Sequence, residues 1–174
     1  MVRQFAITLI LALALSGTAF AKEEAKINDA QIAHIAYTAG QIDVAAGKQA
    51  LAKSKDATVR SFAEEMVRDH TAVNDKALAL VKKLGVTPEA NPTSTALSNA
   101  AAKKLMDLDK LNGAAFDRAY IENEVAYHKT VNGALSTTLI PNAKNGELKQ
   151  LLETGLKLFQ EHQQHAEHLV AAFH

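Results

Sequence analysis

Residues 61–85 read SFAEEMVRDHTAVNDKALALVKKLG, and the rest of the chain is organised around this segment. At about 100° per residue, His70 falls inside the apolar face of a helix and Asp69 falls at its edge. A histidine among apolar residues needs a polar partner, which is either another side chain, a buried water or a metal ion. The apolar residues recur at steps of three, four or seven, the spacing of one helix face: Phe62, Met66, Val73, Ala77, Leu80 and Leu84.

Residues 1–21, MVRQFAITLILALALSGTAFA, have the parts of a secretory signal peptide. Arg3 supplies a positive start, residues 5–15 form an apolar run, and residues 19–21 form an A-x-A cleavage site. The run is too short to span a membrane. We therefore predict cleavage after this site and export, most simply to a bacterial periplasm. Residues 22–174 contain no second long apolar run, so no integral membrane span is expected after cleavage.

The composition excludes several classes of protein and site. There is no cysteine, so neither disulfides nor thiolate metal sites can form. Lys plus Arg equals Asp plus Glu at 19 each, which gives no reason to propose nucleic acid or an anionic membrane as a partner. Aromatic residues make up only 5%, tryptophan is absent and proline is scarce, a composition that favours helices over an all-β fold.

Apolar periodicity and turn residues predict one all-α domain in residues 22–174. The two short turns leave one long, proline-containing connection at 86–95, and a short helix after it is expected to cross one end of the domain. Two helix pairs joined by a long central crossover predict a ferritin-like four-helix bundle. The long helices are predicted at 29–54, 57–84, 114–139 and 147–172, and the short extra helix at 96–109.

Five polar residues fall inside the predicted apolar faces. Counted from the two short turns at about 1.5 Å rise per residue, four of them come near the middle of the bundle, and His128 is about one turn lower, within the reach of its side chain. Carboxylates and histidines that converge from several helices build metal sites in bundle cores. A set without thiolate suits Zn, Fe, Mn or Cu(II), and we predict a single transition metal ion, Zn or Fe. The predicted ligands are Asp43, His70, Glu124, His128 and His162.

Two alternatives to this metal site remain open. In the first, the core is polar but metal-free: Asp43 pairs with one histidine, and the others bond to backbone or water. The second concerns His162, His165 and His168, which recur every third residue in the last helix. They could form a surface stripe that scavenges metal or, more simply, a solvated histidine-rich face. The same helix could also serve as a homodimer face.

Three segments carry a resemblance to a known family: FAEEMVRDH at 62–70, FDRAYIENEVAYH at 116–128 and LKLFQEH at 156–162. With the signal peptide, they resemble the bacterial domain-of-unknown-function 4142 family, a ferritin-like group of exported or outer membrane proteins, over essentially the whole mature chain. The resemblance implies a four-helix bundle with histidines at the positions of His70, His128 and His162. Where the family more usually has Glu, this chain has Asp43. The family has no settled biochemical role.

Enzymatic chemistry has little support in the sequence. Di-iron ferritin relatives use E-x-x-H on two helices, and no Glu here is followed by His at that spacing. There is no cysteine nucleophile, no G-x-S-x-G and no glycine-rich phosphate loop. Our first hypothesis is an exported metal-binding protein for buffering or envelope stress protection. The second is a metal-free structural or interaction protein of the cell envelope, and the third and weakest is a metalloenzyme.

Overall fold

The computed structural model describes residues 27–173, and every regular element in this range is helical. This confirms the predicted all-α helical bundle. The predicted signal peptide, residues 1–21, lies outside the described residues. The helices are α1 (Asp29–Lys53), α2 (Ala57–Lys83), α3 (Pro92–Asp109), α4 (Gly113–Ala134), α5 (Ile140–Asn142) and α6 (Gly146–Ala172), with a π-helical segment, Leu135–Leu139, between α4 and α5.

Side-chain caps fix where four of these helices begin. The side chains of Asn28, Asp56, Asn91 and Asn145 accept hydrogen bonds from backbone N–H groups in the first turns of α1, α2, α3 and α6. Such caps satisfy donors that have no partner inside the helix. Both carboxylate oxygens of Asp29 also accept bonds, from the backbone N–H groups just before α6, which joins the start of α1 to that turn.

The long crossover differs from the prediction in both length and position. Helix α3 begins four residues earlier than expected, because Pro92 suits the first helical position and Asn91 forms a capping box with Ser94. It does not cross one end of the bundle but lies along α1. The Asn91 amide donates to the carbonyl of Gln31, and Lys53 Nζ contacts the Asp109 carbonyl oxygen at 2.6 Å. A helix of 18 residues spans about 27 Å, enough to return the chain along the bundle.

The predicted third long helix is not continuous α-helix. It passes from α4 into the π-helical segment Leu135–Leu139 and ends in the short turn of α5. Pro141 follows this segment, and a proline inside a helix lacks an N–H donor and clashes with the carbonyl four residues earlier, here that of Thr137. The widened turn accommodates this clash and leaves Leu135 and Leu139 buried in the core.

A layer of polar side chains divides the core of the bundle into two halves. On α1, Asp43 separates Ala39 from Ala46, and on α6, His162 separates Phe159 from Ala166. We call the two halves the compact half and the open half. The compact half comprises Ala46, Ala50, Val59, Phe62, Ala63, Met66, Leu108, Phe116, Tyr120, Ile121 and Ala166. The open half comprises Ile32, Ile35, Ala39, Val131, Leu135, Leu139, Leu148, Leu152 and Phe159.

Candidate metal centre

The polar layer contains all five of the residues singled out in the sequence. Asp43 comes from α1, His70 from α2, Glu124 and His128 from α4, and His162 from α6. Each is at most 2% exposed. The structure therefore brings the five side chains together in the interior, as the helix periodicity and the positions of the turns predicted. That they bind a metal remains a prediction.

Two distances within the layer match those between ligands of one ion, and its donor atoms form two overlapping groups. Asp43 Oδ2 lies 3.1 Å from His70 Nε2 and 3.4 Å from His128 Nε2. Atoms bound tetrahedrally at ~2.0–2.1 Å from a metal are separated by ~3.3 Å. His70, His128 and His162 each offer one ring nitrogen, and these three atoms lie within 4.8 Å of one another. Asp43, Glu124 and His128 form a second such group, so His128 belongs to both.

Most polar atoms of the layer have no hydrogen-bond partner. The contacts of Asp43 with the two histidines are short, but their directions do not meet hydrogen-bond geometry. Buried polar atoms are almost always paired in folded proteins, because an unpaired one costs its full desolvation energy. Within residues 27–173 the unpartnered buried atoms of the layer are Asp43 Oδ1 and Oδ2, His70 Nδ1 and Nε2, Glu124 Oε1 and Oε2, His128 Nε2 and His162 Nδ1.

Hydrogen bonds on the outer side of two rings fix which nitrogen is free. His128 Nδ1 lies 3.0 Å from the backbone carbonyl of Glu124, which can only accept, so this nitrogen carries the proton. The lone pair of the neutral ring is then on Nε2, which faces Asp43. His162 Nε2 bonds to Asp69 Oδ2 at 3.1 Å, which leaves the lone pair on the buried Nδ1. In known metal sites, a carboxylate or carbonyl that accepts a hydrogen bond from the outer ring nitrogen orients the metal-binding imidazole in this way.

Burial keeps the layer close to neutral. It lowers the pKa of His128 to about 4 and holds the pKa of His70 well below its ordinary value, so both rings are uncharged at neutral pH. Burial raises the pKa of Asp43 and of Glu124, and the nearby charge of Asp43 raises that of Glu124 further. Neutral imidazole is the form that binds a metal, and a bound cation would favour the ionised carboxylates.

Sequence reasoning missed the outer partners of the layer. Asp69, placed only at the edge of its helix face, supports His162 and is itself held by Arg68 Nε at 2.7 Å. Burial raises the pKa of Asp69, but the hydrogen bonds from Arg68 and His162 outweigh it and leave this pKa below its ordinary value. One turn earlier on α2, Glu65 Oε2 bonds to His165 Nδ1 at 2.8 Å.

The histidines of α6 do not share one surface. His162 is buried in the layer, His165 is partly exposed and paired with Glu65, and His168 is exposed. Three residues per step is less than a full helical turn, so successive members rotate away from one another. A continuous three-histidine surface stripe is therefore not what this helix forms.

An aromatic residue forms one wall of the layer. The rings of Phe159 and His70 are stacked, with centroids 4.4 Å apart and planes inclined by 6°. Phe159 is itself buried in the open half. This contact fixes the plane of the His70 ring from the side of the open half.

Comparison with known proteins identifies a family and a fold. The family described as domain of unknown function DUF4142 matches residues 14–169. The crystal structure of a DUF305 protein from Streptomyces coelicolor, described as secreted, is similar with a TM-score of 0.70 and 11% identity over 82% of this chain and 91% of that one. At this identity the likeness shows the fold alone. No curated protein matches the chain. Within residues 27–173, no helix is both long and apolar enough to cross a membrane.

Proposed function

We propose a function from the site itself, because the chain belongs to the DUF4142 family, whose description assigns it none. The protein binds one transition metal ion, Zn or Fe, inside the bundle, with His70, His128 and His162 as the nitrogen ligands. Asp43 supplies a carboxylate oxygen, and Glu124 is the further carboxylate of the same layer. The protein acts as an exported metal-binding protein that buffers the ion or protects the cell envelope under stress.

The proposal rests on eight buried polar atoms of residues 27–173 that converge without hydrogen-bond partners in the layer. Only the Asp43 and Glu124 carboxyl groups can pair with each other, and only when one of them is protonated. A metal-free core would need each of these atoms to be paired, because desolvation of an unpaired polar group costs about 1–3 kcal/mol. A cation satisfies several of them at once. The free lone pairs of His128 Nε2 and His162 Nδ1, each set by a hydrogen bond on the opposite side of the ring, are the form that metal binding requires.

The donor set supports Zn or Fe rather than a hard cation. Three imidazoles with a carboxylate suit Zn and Fe, whereas Mg and Ca prefer oxygen ligands alone. Export is supported by the sequence of residues 1–21 and by the DUF305 neighbour that is described as secreted. The deep burial of the site favours holding an ion over rapid turnover of a substrate, which supports a binding role.

Metal analysis and thermal unfolding of untagged protein test the proposal. We expect stoichiometric Zn or Fe, and a rise in melting temperature on titration, because an ion that binds only the folded state adds ~2.7 kcal/mol at one hundred times its Kd. His70→Ala should abolish tight binding and the rise. His168→Ala, exposed on the same bundle, should change neither. The rise should also shrink as pH falls, first as Asp43, whose pKa burial raises to about 7, takes up a proton, and further near pH 4, where His128 protonates.

Comparison in the presence of a chelator separates loss of binding from loss of folding. His70→Ala should unfold cooperatively there and fail only to respond to added metal. If wild-type protein neither contains metal nor is stabilised by Zn or Fe, the proposal is wrong and the metal-free envelope protein replaces it.

A further inference from the structure

The open half of the core contains a cavity of about 250 Å³. At the end next to the polar layer, it is lined by Gly40, Asn74 and Phe159, and at the far end by Val81, Leu139 and Leu148. Almost all of the remaining lining is aliphatic. Natural cores rarely contain voids larger than a water molecule, and an engineered apolar cavity of about 150 Å³ in another protein binds benzene. The space here is therefore sufficient for an organic molecule.

The cavity is elongated along the bundle. Its lining extends from Val73 to Val81 on α2 and from Leu148 to Phe159 on α6. At ~1.5 Å per residue, these stretches cover ~12 Å and ~16 Å. Thr93 and Thr130, which are both exposed, also line it, so it reaches the surface between α3 and α4. This shape fits an extended chain better than a compact ring.

Small residues on the facing helices create the space. At seven lining positions the helices around the cavity place alanine or glycine, beside several leucines. Among residues 27–173, no aromatic ring other than Phe159 lines it. A void of this size lowers stability, because its lining loses packing contacts. The small lining residues are Ala33, Ala36, Ala39, Gly40, Ala77, Ala134 and Gly155.

Asn74 is the polar residue at the inner end of the cavity. Its side chain is 3% exposed, and within residues 27–173 its Nδ2 has neither a hydrogen-bond partner nor appreciable accessible surface. Its amide lies against Gly40, where a Cβ atom would overlap it, so the glycine makes room for the amide. An amide N–H₂ can only donate, and it therefore calls for an acceptor oxygen inside an otherwise apolar space.

We propose that this cavity binds a straight-chain aliphatic molecule with an oxygen head group that accepts a hydrogen bond. The chain lies along the bundle among the alanine and leucine side chains, and the head group accepts from Asn74 Nδ2 when the amide turns this atom toward the cavity. The assignment does not rest on the proposed metal binding, because neither Asn74 nor the aliphatic lining belongs to the predicted ligands.

Titration with decanol, and with decane as the matched probe without oxygen, tests the assignment. Binding is followed by calorimetry and by thermal unfolding, in protein with metal and in protein treated with chelator. We expect saturable binding of decanol in both. Asn74→Leu should weaken the binding of decanol by about tenfold, the equivalent of one buried hydrogen bond, and should leave the binding of decane unchanged or make it tighter.

Two alanines of α2 provide the matched pair of filling variants. Ala77→Leu places a larger side chain in the cavity and should abolish binding of both probes, whereas Ala79→Leu, exposed on the same helix, should not. Absence of saturable decanol binding by the wild type, or equal binding by Ala77→Leu, would overturn the assignment. Neither outcome depends on whether the protein holds a metal.

Discussion

The compact and open halves of the core are built from the same four long helices but are filled differently. In the compact half, Phe62, Phe116 and Tyr120 are fully buried, and Tyr120 contacts both phenylalanine rings. In the open half, the buried core is aliphatic apart from Phe159, and a cavity remains beside it, lined in part by Gly40, Ala77 and Gly155. Three large aromatic rings therefore fill the compact half, whereas Phe159 is the aromatic ring of the open half.

This difference suggests that the two halves of the bundle have different roles. Large buried side chains are worth several kcal/mol each, so the compact half supplies much of the stability. The open half gives up packing and retains space. The polar layer lies between the two halves, with aromatic packing on one side and Phe159, together with Ala39 and Val131, on the other.

The largest expected effect is on the pH dependence of stability, which tests whether water is excluded from the polar layer between the halves. The folded pKa of His128 is about 4, below its ordinary 6.5, so between these values the unfolded chain binds more protons and stability falls as pH falls. The shift corresponds to about 3 kcal/mol. When the pH is lowered over this range, the free energy of unfolding of metal-free His128→Gln should therefore fall by about 3 kcal/mol less than that of metal-free wild type. Urea unfolding in the presence of a chelator measures the difference.

The difference between the two proteins isolates His128. Asp43 and Glu124, whose raised pKa values act in the opposite direction, are present in both. His168→Gln, at an exposed position, should follow the wild type. Equal loss of stability in wild type and His128→Gln would show that water reaches the layer and that the compact half does not seal it.

The same substitution in each half gives the next largest effect. Ala63→Leu adds carbon atoms where α1 and α2 approach closely and should cost about 1–3 kcal/mol by overpacking. Ala77→Leu adds them to the cavity and should be neutral or stabilise by up to about 2 kcal/mol. Chemical denaturation measures both. If the two variants lose stability equally, the halves do not differ in packing.

A pair of glycines provides the smallest and most local test. Apart from its chain neighbours and its own helix backbone, no atom of residues 27–173 lies within 4 Å of a Cβ added to Gly133, so Gly133→Ala should stabilise the helix by about 0.5–1 kcal/mol. Gly40→Ala should instead destabilise, because its Cβ would displace the Asn74 amide at the end of the cavity. Thermal unfolding distinguishes the signs. A gain at both positions would mean that the Asn74 amide moves away without cost.

The sequence was sufficient to predict the bundle and the composition of the polar layer. His70 and His162 lie on strongly periodic apolar faces, and the short turns fix the heights of the helices that carry them. Because 3.6-residue periodicity and helical rise are local properties, they determined which side chains would meet. The earlier start of α3 was also encoded, in the capping residues Asn91 and Ser94 and in Pro92.

Other features depend on how the helices rotate and pack against one another. Asp69 was placed at the edge of a helix face, and only the approach of α6 shows that it supports His162. The π-helical segment follows from a local conflict near Pro141 that periodicity does not reveal. The cavity depends on the combined side-chain volumes of four helices, so the apolar pattern of a single helix face does not predict it.

The stacked ring of Phe159 has a thermodynamic consequence. It forms a wall of the cavity and lies flat against His70, so a molecule that shifts it also alters the energy of the His70 ring. Two sites joined through one side chain have a coupling free energy, and that energy is the same in both directions. A chain-like ligand that changes the affinity for an ion by some factor must have its own affinity changed by the ion by that same factor.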